Sequence, residues 1–283
     1  MAAIIDGKKM ASDIKEEIKT EVENLVKEYR KSPSLATILV GNNPASEIYV
    51  SLKYKACKES GINSLIYRFS DTLTEEELLK KISELNANKE INGILVQLPL
   101  PKHINTEMIM EAINYKKDVD GFNPVNSGRL MNNCETLAPC TPKGIILMLE
   151  KYNVEIEGSN VVIINHSSVV GKPLALMLLS RNATVTVCHI WTKNLKEHTL
   201  KADILISAVG KRDLITEDMV KENAVVIDVG ISRVNGKISG DVDFKNVKKK
   251  ASLITPVPGG VGPMTVAVLL KNTVEAFKMQ YKR

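Results

Sequence analysis

The sequence predicts an α/β protein of two domains, the second a doubly wound parallel sheet. Three observations carry that prediction. Short apolar runs recur along the chain, and stretches of helical spacing separate them, which is the beat of parallel strands joined by helices. Residues 118–142 are dense in Pro, Asn, Gly and Cys, lack periodicity, and divide the chain in two. The 283 residues leave room for two cores.

Taken in order, residues from about 8 to 30 are rich in Lys and Glu, with apolar residues at helical spacing. The run Leu35-Ala36-Thr37-Ile38-Leu39-Val40 ends in Gly41, as a buried parallel strand does. Asn43-Pro44 opens a helix, with Asn as the cap and Pro in the first turn, and Gly61 closes it. Residues 64–69 read as a strand. Thr74 starts a helix with Glu77 three residues on, the pattern of a capping box. Gly93-Ile94-Leu95-Val96-Gln97-Leu98-Pro99 is another buried strand, stopped by proline. In the second half a helix over residues 142–152 precedes apolar runs at 161–164, 185–188, 204–209 and 225–229. Helical patterns separate the first three, as in a Rossmann-type sheet. A last run, Leu253-Ile254-Thr255, leads into a Pro/Gly loop and a terminal helix over about 265–281.

Composition narrows the function classes. Aromatic residues are 4%, so the cores must rest on Ile, Leu, Val and Ala. The net charge of +5 is spread along the chain, and its densest run, Lys248-Lys249-Lys250, reads as a solvated turn rather than a nucleic-acid surface. Cys57, Cys134, Cys140 and Cys188 form no CxxC pair, and Cys57 and Cys188 fall in apolar runs as small core residues. A reducing compartment suits them. The start of the chain has no signal-peptide character and no apolar run is long enough to span a bilayer, so a cytoplasmic protein without a membrane is expected.

The first candidate for chemistry lies in the helix that Asn43 opens. At helical pitch Tyr49, Lys53, Ala56 and Ser60 share one stripe, with Glu47 and Lys58 roughly opposite. A lysine among small residues and an aromatic hydroxyl loses hydration, which suits it to proton transfer. The same spacing describes a surface lysine whose stem covers apolar neighbours, and spacing alone favours that account. Gln97 stands near the carboxyl end of a buried strand, where open α/β sheets bind ligands, and equally where a strand ends in a polar residue. Asp118-Val119-Asp120-Gly121 offers two carboxylates that can hydrogen-bond a heterocycle or form Asx turns; a metal is the weakest reading, since no His or third acid lies nearby.

In the second half, the strand at 161–164 runs into Asn165-His166-Ser167-Ser168-Val169-Val170-Gly171-Lys172-Pro173 and then a helix. This is the place of a dinucleotide fingerprint, although GxGxxG is missing and only Gly171 remains as a close-packing glycine. Ser167, Ser168 and backbone N–H groups can hold phosphate oxygens. Where an NAD enzyme keeps an acid for the ribose 2′-hydroxyl, about 20 residues on, this chain has His189-Ile190. Residues 256–265, with three glycines and three prolines, form a stiff loop suited to close contact with a planar ligand.

In this order, over nearly the whole chain, these segments closely resemble the bifunctional methylenetetrahydrofolate dehydrogenase/methenyltetrahydrofolate cyclohydrolase family. The matching pieces are Asn43-Pro44-Ala45-Ser46 through Tyr49 and Lys53, Gly93 through Pro101, Lys117-Asp118-Val119-Asp120-Gly121-Phe122, and Pro139-Cys140-Thr141-Pro142. Ser167 through Pro173, Ala183 through His189 and Pro256 through Thr265 complete the set. The resemblance implies a folate-binding catalytic domain over 1–138, joined by the returning terminal helix 265–283, and an NAD(P)-binding domain over 139–264. It implies Lys53 as general acid/base of the hydrolytic step, Tyr49 along the folate ring, Gln97 bonded to Lys53, and Asp120 on the pterin. Leu98 and the loop residues Pro258, Gly259, Gly260 and Val261 would border the folate. Asn165, His166 and Ser167, with Ile190 and Ile231, would line the dinucleotide site. Tetrahydrofolates are the implied substrates, NADP the implied cofactor with NAD as the alternative, and a homodimer the implied assembly. The chain departs from the family at Asn165-His166-Ser167, usually Gly-Arg-Ser, and at Ile190, usually Ser. Those departures motivate a second reading, a cyclohydrolase with weak or NAD-altered dehydrogenase activity. A third is a non-catalytic folate- or nucleotide-binding protein.

Overall fold

The computed structural model describes residues 1–234 and 237–281. In chain order the first elements are β1 (Ala3–Ile4), α1 (Gly7–Tyr29), β2 (Ser34–Val40), α2 (Pro44–Glu59), β3 (Asn63–Phe69), α3 (Glu75–Ala87), β4 (Gly93–Val96), α4 (Thr106–Ala112) and α5 (Pro124–Met131). Then follow α6 (Cys140–Lys151), β5 (Asn160–Ile164), α7 (Gly171–Leu179), β6 (Thr184–Cys188), α8 (Leu195–Thr199), β7 (Ile204–Ser207) and β8 (Val225–Asp228). The chain ends with β9 (Ser232–Val234), β10 (Lys237–Ser239), α9 (Phe244–Val247), β11 (Leu253–Ile254) and α10 (Val261–Tyr281). These elements fall into two units, one of residues 12–140 with 266–283, the other of residues 1–11 with 141–265.

The first unit is built on a parallel three-stranded sheet in the order β3-β2-β4. β2 is central and buried along its whole length, which is why its sequence is an unbroken apolar run rather than an alternating one. Ala36, Ile38 and Val40 of β2 and Ile94 and Val96 of β4 share a core with Leu78, Ile82 and Leu85 of α3, spaced at helical pitch, and with Ile109 of α4. Thr74 and Glu77 close the expected capping box at the start of α3. The last turns of α10 complete the unit: Phe277 is fully buried and meets Tyr29 edge-on, with ring centroids 5.7 Å apart.

The second unit is a parallel six-stranded sheet in the order β1-β11-β8-β7-β5-β6. From β5 the chain moves outward to β6 and then returns across β5 to β7, so the strand order reverses at β5. That reversal makes the switch point at which open sheets take ligands, at the strands' carboxyl ends. β9 and β10 pair as an antiparallel hairpin beyond the end of β8.

Three elements differ from the sequence expectation. Residues 1–11 group with the six-stranded sheet, not with 12–138, because β1 pairs in parallel with β11 at its edge. Two residues of strand are too few to display a period. The aperiodic stretch holds the helix α5, whose cap Asn123 accepts from the Val125 N–H at 2.8 Å. The hairpin of β9 and β10 lies where the sequence shows only a connection. Among the described residues no helix is long and apolar enough to cross a membrane.

Candidate active site

The helix α2 begins where its sequence places it. The Asn43 side chain accepts from the N–H groups of Ala45 and Ser46, and Pro44 fills the first turn, where a missing N–H is harmless. Its buried face carries Ser46, Val50, Lys53, Ala56 and Cys57, with Tyr49 half-buried beside them. Lys53 is therefore an inward lysine, not a snorkelling one, and only 8% of it is exposed.

Its Nζ meets the end of β4. The Gln97 N–H still bonds to the Ile38 carbonyl, so Gln97 continues the strand by one residue before the cis Leu98–Pro99 bond. Gln97 Nε2 donates to the Leu98 carbonyl at 2.8 Å, which turns Oε1 the other way, and Lys53 Nζ donates to that oxygen at 3.0 Å. The Leu98 carbonyl also accepts from Ser46 Oγ at 3.5 Å, so α2 and the strand end share a polar seam.

The segment at 117–121 runs beside β4, with the Ile94 N–H donating to the Lys117 carbonyl at 2.7 Å. Its two aspartates separate by role. Asp118 is fully buried and accepts from the N–H groups of Gly121 and Asn123 and from Asn126 Nδ2, so it is the Asx-type organiser of the loop. Burial pushes its carboxyl up to about 6. Asp120 feels Lys53. Burial raises its carboxyl above the ordinary range, while the Lys53 charge and the Cys140 thiol pull it back. Cys140 Sγ donates to Asp120 Oδ1 at 3.6 Å and to the Val119 carbonyl at 3.4 Å. Asn272 of α10, wholly buried, donates to the carbonyls of Val119 and Ala138 at 2.9 Å each. Sequence reasoning missed Cys140 and Asn272 as members of this site. A buried Asn within the apolar run of a terminal helix was the available signal for the second.

In the other unit, Asn165, His166 and Ser167 follow β5, Ile190 follows β6 and Ile231 follows β8, all at carboxyl ends of the sheet. Asn165 turns out to be the loop's internal brace. Its Oδ1 accepts from the Ser167 N–H, the Ser167 hydroxyl and the Gly171 N–H, while its Nδ2 donates to the Ala208 carbonyl at 2.6 Å. Gly171 is required there, because a Cβ would lie 2.0 Å from the Asn165 carbonyl oxygen. Val170, the residue before α7, gives no side-chain cap, and Asn165 Oδ1 takes the first N–H of the helix in its place. The rings of His166 and His189 are neighbours, with centroids 4.9 Å apart and planes tilted by 42°. His189 Nδ1 accepts from the Trp191 N–H at 3.2 Å, which puts the proton of the neutral ring on Nε2. Ile190 and Trp191 are 87% and 82% exposed.

Pro258, Gly259, Gly260 and Val261 belong to this same unit. Val257–Pro258 is cis, the Gly259 carbonyl accepts from the Lys8 N–H at 3.0 Å, and Gly260 and Val261 are buried. Among the described residues no group of three or more His, Cys, Asp or Glu could hold a metal ion.

Two family models match the chain, the tetrahydrofolate dehydrogenase/cyclohydrolase catalytic domain over residues 5–120 and its NAD(P)-binding domain over residues 139–281. The bifunctional protein FolD of Nitratiruptor sp. is 56% identical over 277 residues, covering 98% of each chain. Among solved structures, the bifunctional FolD methylenetetrahydrofolate dehydrogenase/cyclohydrolase of Campylobacter jejuni superposes with a TM-score of 0.96 at 50% identity, covering 99% of each chain. The Trypanosoma brucei methylenetetrahydrofolate dehydrogenase-cyclohydrolase, complexed with NADP and an inhibitor, gives a TM-score of 0.96 at 37% identity over 100% of this chain and 99% of that one.

Proposed function

The chain belongs to the tetrahydrofolate dehydrogenase/cyclohydrolase family, and we propose that within its two activities Lys53 is the acid–base group of the hydrolytic one. It is a bifunctional methylenetetrahydrofolate dehydrogenase and methenyltetrahydrofolate cyclohydrolase. Oxidation of the methylene bridge removes a hydride to the nicotinamide, a step that needs alignment more than a base. Hydrolysis of the resulting methenyl cation needs a proton taken from the adding water and returned to nitrogen as the ring opens to 10-formyltetrahydrofolate.

The observation that carries the proposal is the partner of Lys53. The amide oxygen of Gln97 accepts a hydrogen bond from an amine and from an ammonium alike. A carboxylate in that place would hold the ammonium and stop the proton from leaving. Gln97 thus keeps Nζ in position through both halves of the transfer. Asp120, with its carboxyl turned by Cys140, suits the ring N–H and amino groups of a pterin; Leu98 follows Gln97 at the strand end, and Tyr49 lies one turn before Lys53 on α2.

For the dinucleotide, the braced turn after β5 and the start of α7 fit a pyrophosphate; Ser167, by turning its hydroxyl from Asn165, and the loop N–H groups that Asn165 does not engage would hold it, and the bound dinucleotide supplies the hydride acceptor. We assign NADP. The end of β6 carries no acid for a free 2′-hydroxyl, and the neighbouring imidazoles of His166 and His189 offer donors to a 2′-phosphate in place of the missing arginine. Ile190 offers no hydrogen bond there, which favours, as the second reading, a chain weighted toward hydrolysis. The free cysteines fit a reducing, cytoplasmic setting, and the open edge of β6 suits pairing in a homodimer.

Assaying both activities in the wild type and in Lys53→Ala, with NADP and with NAD, tests these assignments. Lys53→Ala is expected to lower hydrolysis about 10²- to 10⁴-fold and to leave hydride transfer within about tenfold. Undiminished hydrolysis would remove Lys53 from the mechanism. Turnover with NAD alone would overturn the cofactor assignment.

A further inference from the structure

Two aspartates that the scheme above does not use lie buried where β7 and β8 end. Asp228 is the last residue of β8, and Asp241 follows the hairpin of β9 and β10; they are 3% and 0% exposed. The ladder between β7 and β8 runs out at the pair Ser207 and Asp228, with one more bond from the Val229 N–H to the Ser207 carbonyl at 2.8 Å. Beyond it the strands part, and the Asp241 carboxylate stands where the next rung would be. Its Oδ2 accepts from the Ser207 hydroxyl and the Val209 N–H, each at 2.7 Å, and its Oδ1 from the Lys211 N–H at 2.8 Å. Asp228 serves the other side. Its Oδ1 accepts from the N–H groups of Gly230 at 3.0 Å and Asp241 at 2.9 Å, and its Oδ2 from the Val242 N–H at 3.0 Å.

All six of these donors are neutral, so the bonds stabilise the buried carboxyl groups without a salt bridge. The backbone is shaped to them. A Cβ on Gly230 would lie 2.0 Å from Asp241 Oδ1, and one on Gly240 2.0 Å from Asp228 Oδ2. The two strand-end loops also lie close together, with the Ile231 carbonyl oxygen 3.5 Å from where a Cβ on Gly210 would stand. One pair of carboxyl groups therefore fixes residues 207–211, residues 228–231 and both ends of the hairpin.

In a doubly wound sheet the two halves of a dinucleotide lie on opposite sides of the switch point, with the adenosine ribose read at the end of the second strand. Here that strand is β6, which leaves the ends of β7 and β8 to the nicotinamide half. We propose that Asp228 and Asp241 are positioning residues for that half, a clamp that sets both strand-end loops and so the placing of the hydride acceptor. The proposal rests on the dehydrogenase reading. Hydride transfer is sensitive to placement, and an error of about 1 Å lowers such rates by about 10²-fold.

The test uses Asp241→Asn and Ser207→Ala in the full chain. In Asp241→Asn an amide NH₂ replaces one acceptor oxygen and faces an N–H. Kinetics with methylenetetrahydrofolate and NADP would give kcat and the dinucleotide KM, and the hydrolysis of methenyltetrahydrofolate would be followed in parallel. We expect Asp241→Asn to lower dehydrogenase kcat/KM for the dinucleotide by about 10- to 100-fold, and Ser207→Ala by about threefold, with hydrolysis changed less than about twofold in both. Parallel losses in both activities, or a dehydrogenase within about twofold of wild type in both variants, would overturn the proposal. Should Asp241→Asn fail to fold, Ser207→Ala carries the same comparison alone. A wild-type chain inactive as a dehydrogenase with either dinucleotide would overturn the underlying reading, and this proposal with it.

Discussion

Lys53 and Lys117 are two buried lysines of one unit, 8% and 6% exposed, and they use the same ammonium group in opposite ways. Lys117 lies at the carboxyl end of α3, where the helix leaves carbonyls without intrahelical partners and attracts a cation. Its Nζ donates to the carbonyls of Leu85, Asn86 and Asn88 at 3.1, 2.9 and 2.7 Å, so all three of its donors are engaged. Lys53 has one hydrogen-bond partner among the described residues, the Gln97 amide oxygen, and a titratable neighbour in Asp120. Burial alone therefore does not distinguish the lysine proposed as catalytic from the structural one. The number of donors left for a guest does.

The largest effect that would break this comparison is on stability. Lys117→Met leaves three carbonyls at a helix end without their donor, and we expect a loss of about 3 kcal/mol in unfolding free energy, read from denaturant melts. Hydrolysis by the folded protein should stay within about twofold. A Lys117 variant that melts like wild type but fails to hydrolyse would reverse the two roles. Next in size is Gln97→Ala, which removes the acceptor that holds Nζ; hydrolysis should fall about 10- to 100-fold, less than for Lys53→Ala, with a small change in melting. If Gln97→Ala cost stability and not rate, the amide would be only a strand terminator.

The smallest effect sharpens the parallel contrast between Asp118 and Asp120. Burial raises the Asp118 carboxyl to about 6 from an ordinary 3.8. The folded state then binds the proton more tightly than the unfolded state, so the contribution of Asp118 to stability is full below about pH 4 and is lost as pH rises through about 6. The stability of the wild type relative to Asp118→Asn should accordingly fall between pH 4 and pH 7, by on the order of 2 kcal/mol. A difference that stayed flat with pH, measured by melts in matched buffers, would contradict the assignment.

How much of this was legible in the sequence varies with the range of the interaction. Local patterns located most elements: the Asn43-Pro44 start of α2, the Thr74 and Glu77 box of α3 and the unbroken apolar run of β2 all stand as the spacing predicts. The stripe of Lys53 was readable for the same reason, although its depth was not. Its burial depends on β4 and Gln97, 44 residues away, and no window along one helix contains that strand. Spacing alone could not tell Asp118 from Asp120, and only the family resemblance singled out Asp120, because the difference lies in which carboxylate Asn123 and Asn126 turn back to meet. Lys117 read only as the first residue of a family-like segment, with no role of its own, for want of α3 beside it. Asn165 was expected to line the dinucleotide site, yet its side chain is engaged within the protein, bracing the turn against Ala208.

The central claim is that Lys53 works by moving a proton and not by its charge. Lys53→Arg separates the two, since a guanidinium keeps the charge, still donates to Gln97, and does not lose its proton at working pH. Steady-state hydrolysis of methenyltetrahydrofolate by this variant, with hydride transfer as the control for folding and binding, is the direct measurement. The account predicts hydrolysis as low as in Lys53→Ala, at least about 10²-fold below wild type, with hydride transfer retained. Hydrolysis near the wild-type rate in Lys53→Arg would show that a fixed positive charge suffices, and would contradict the claim.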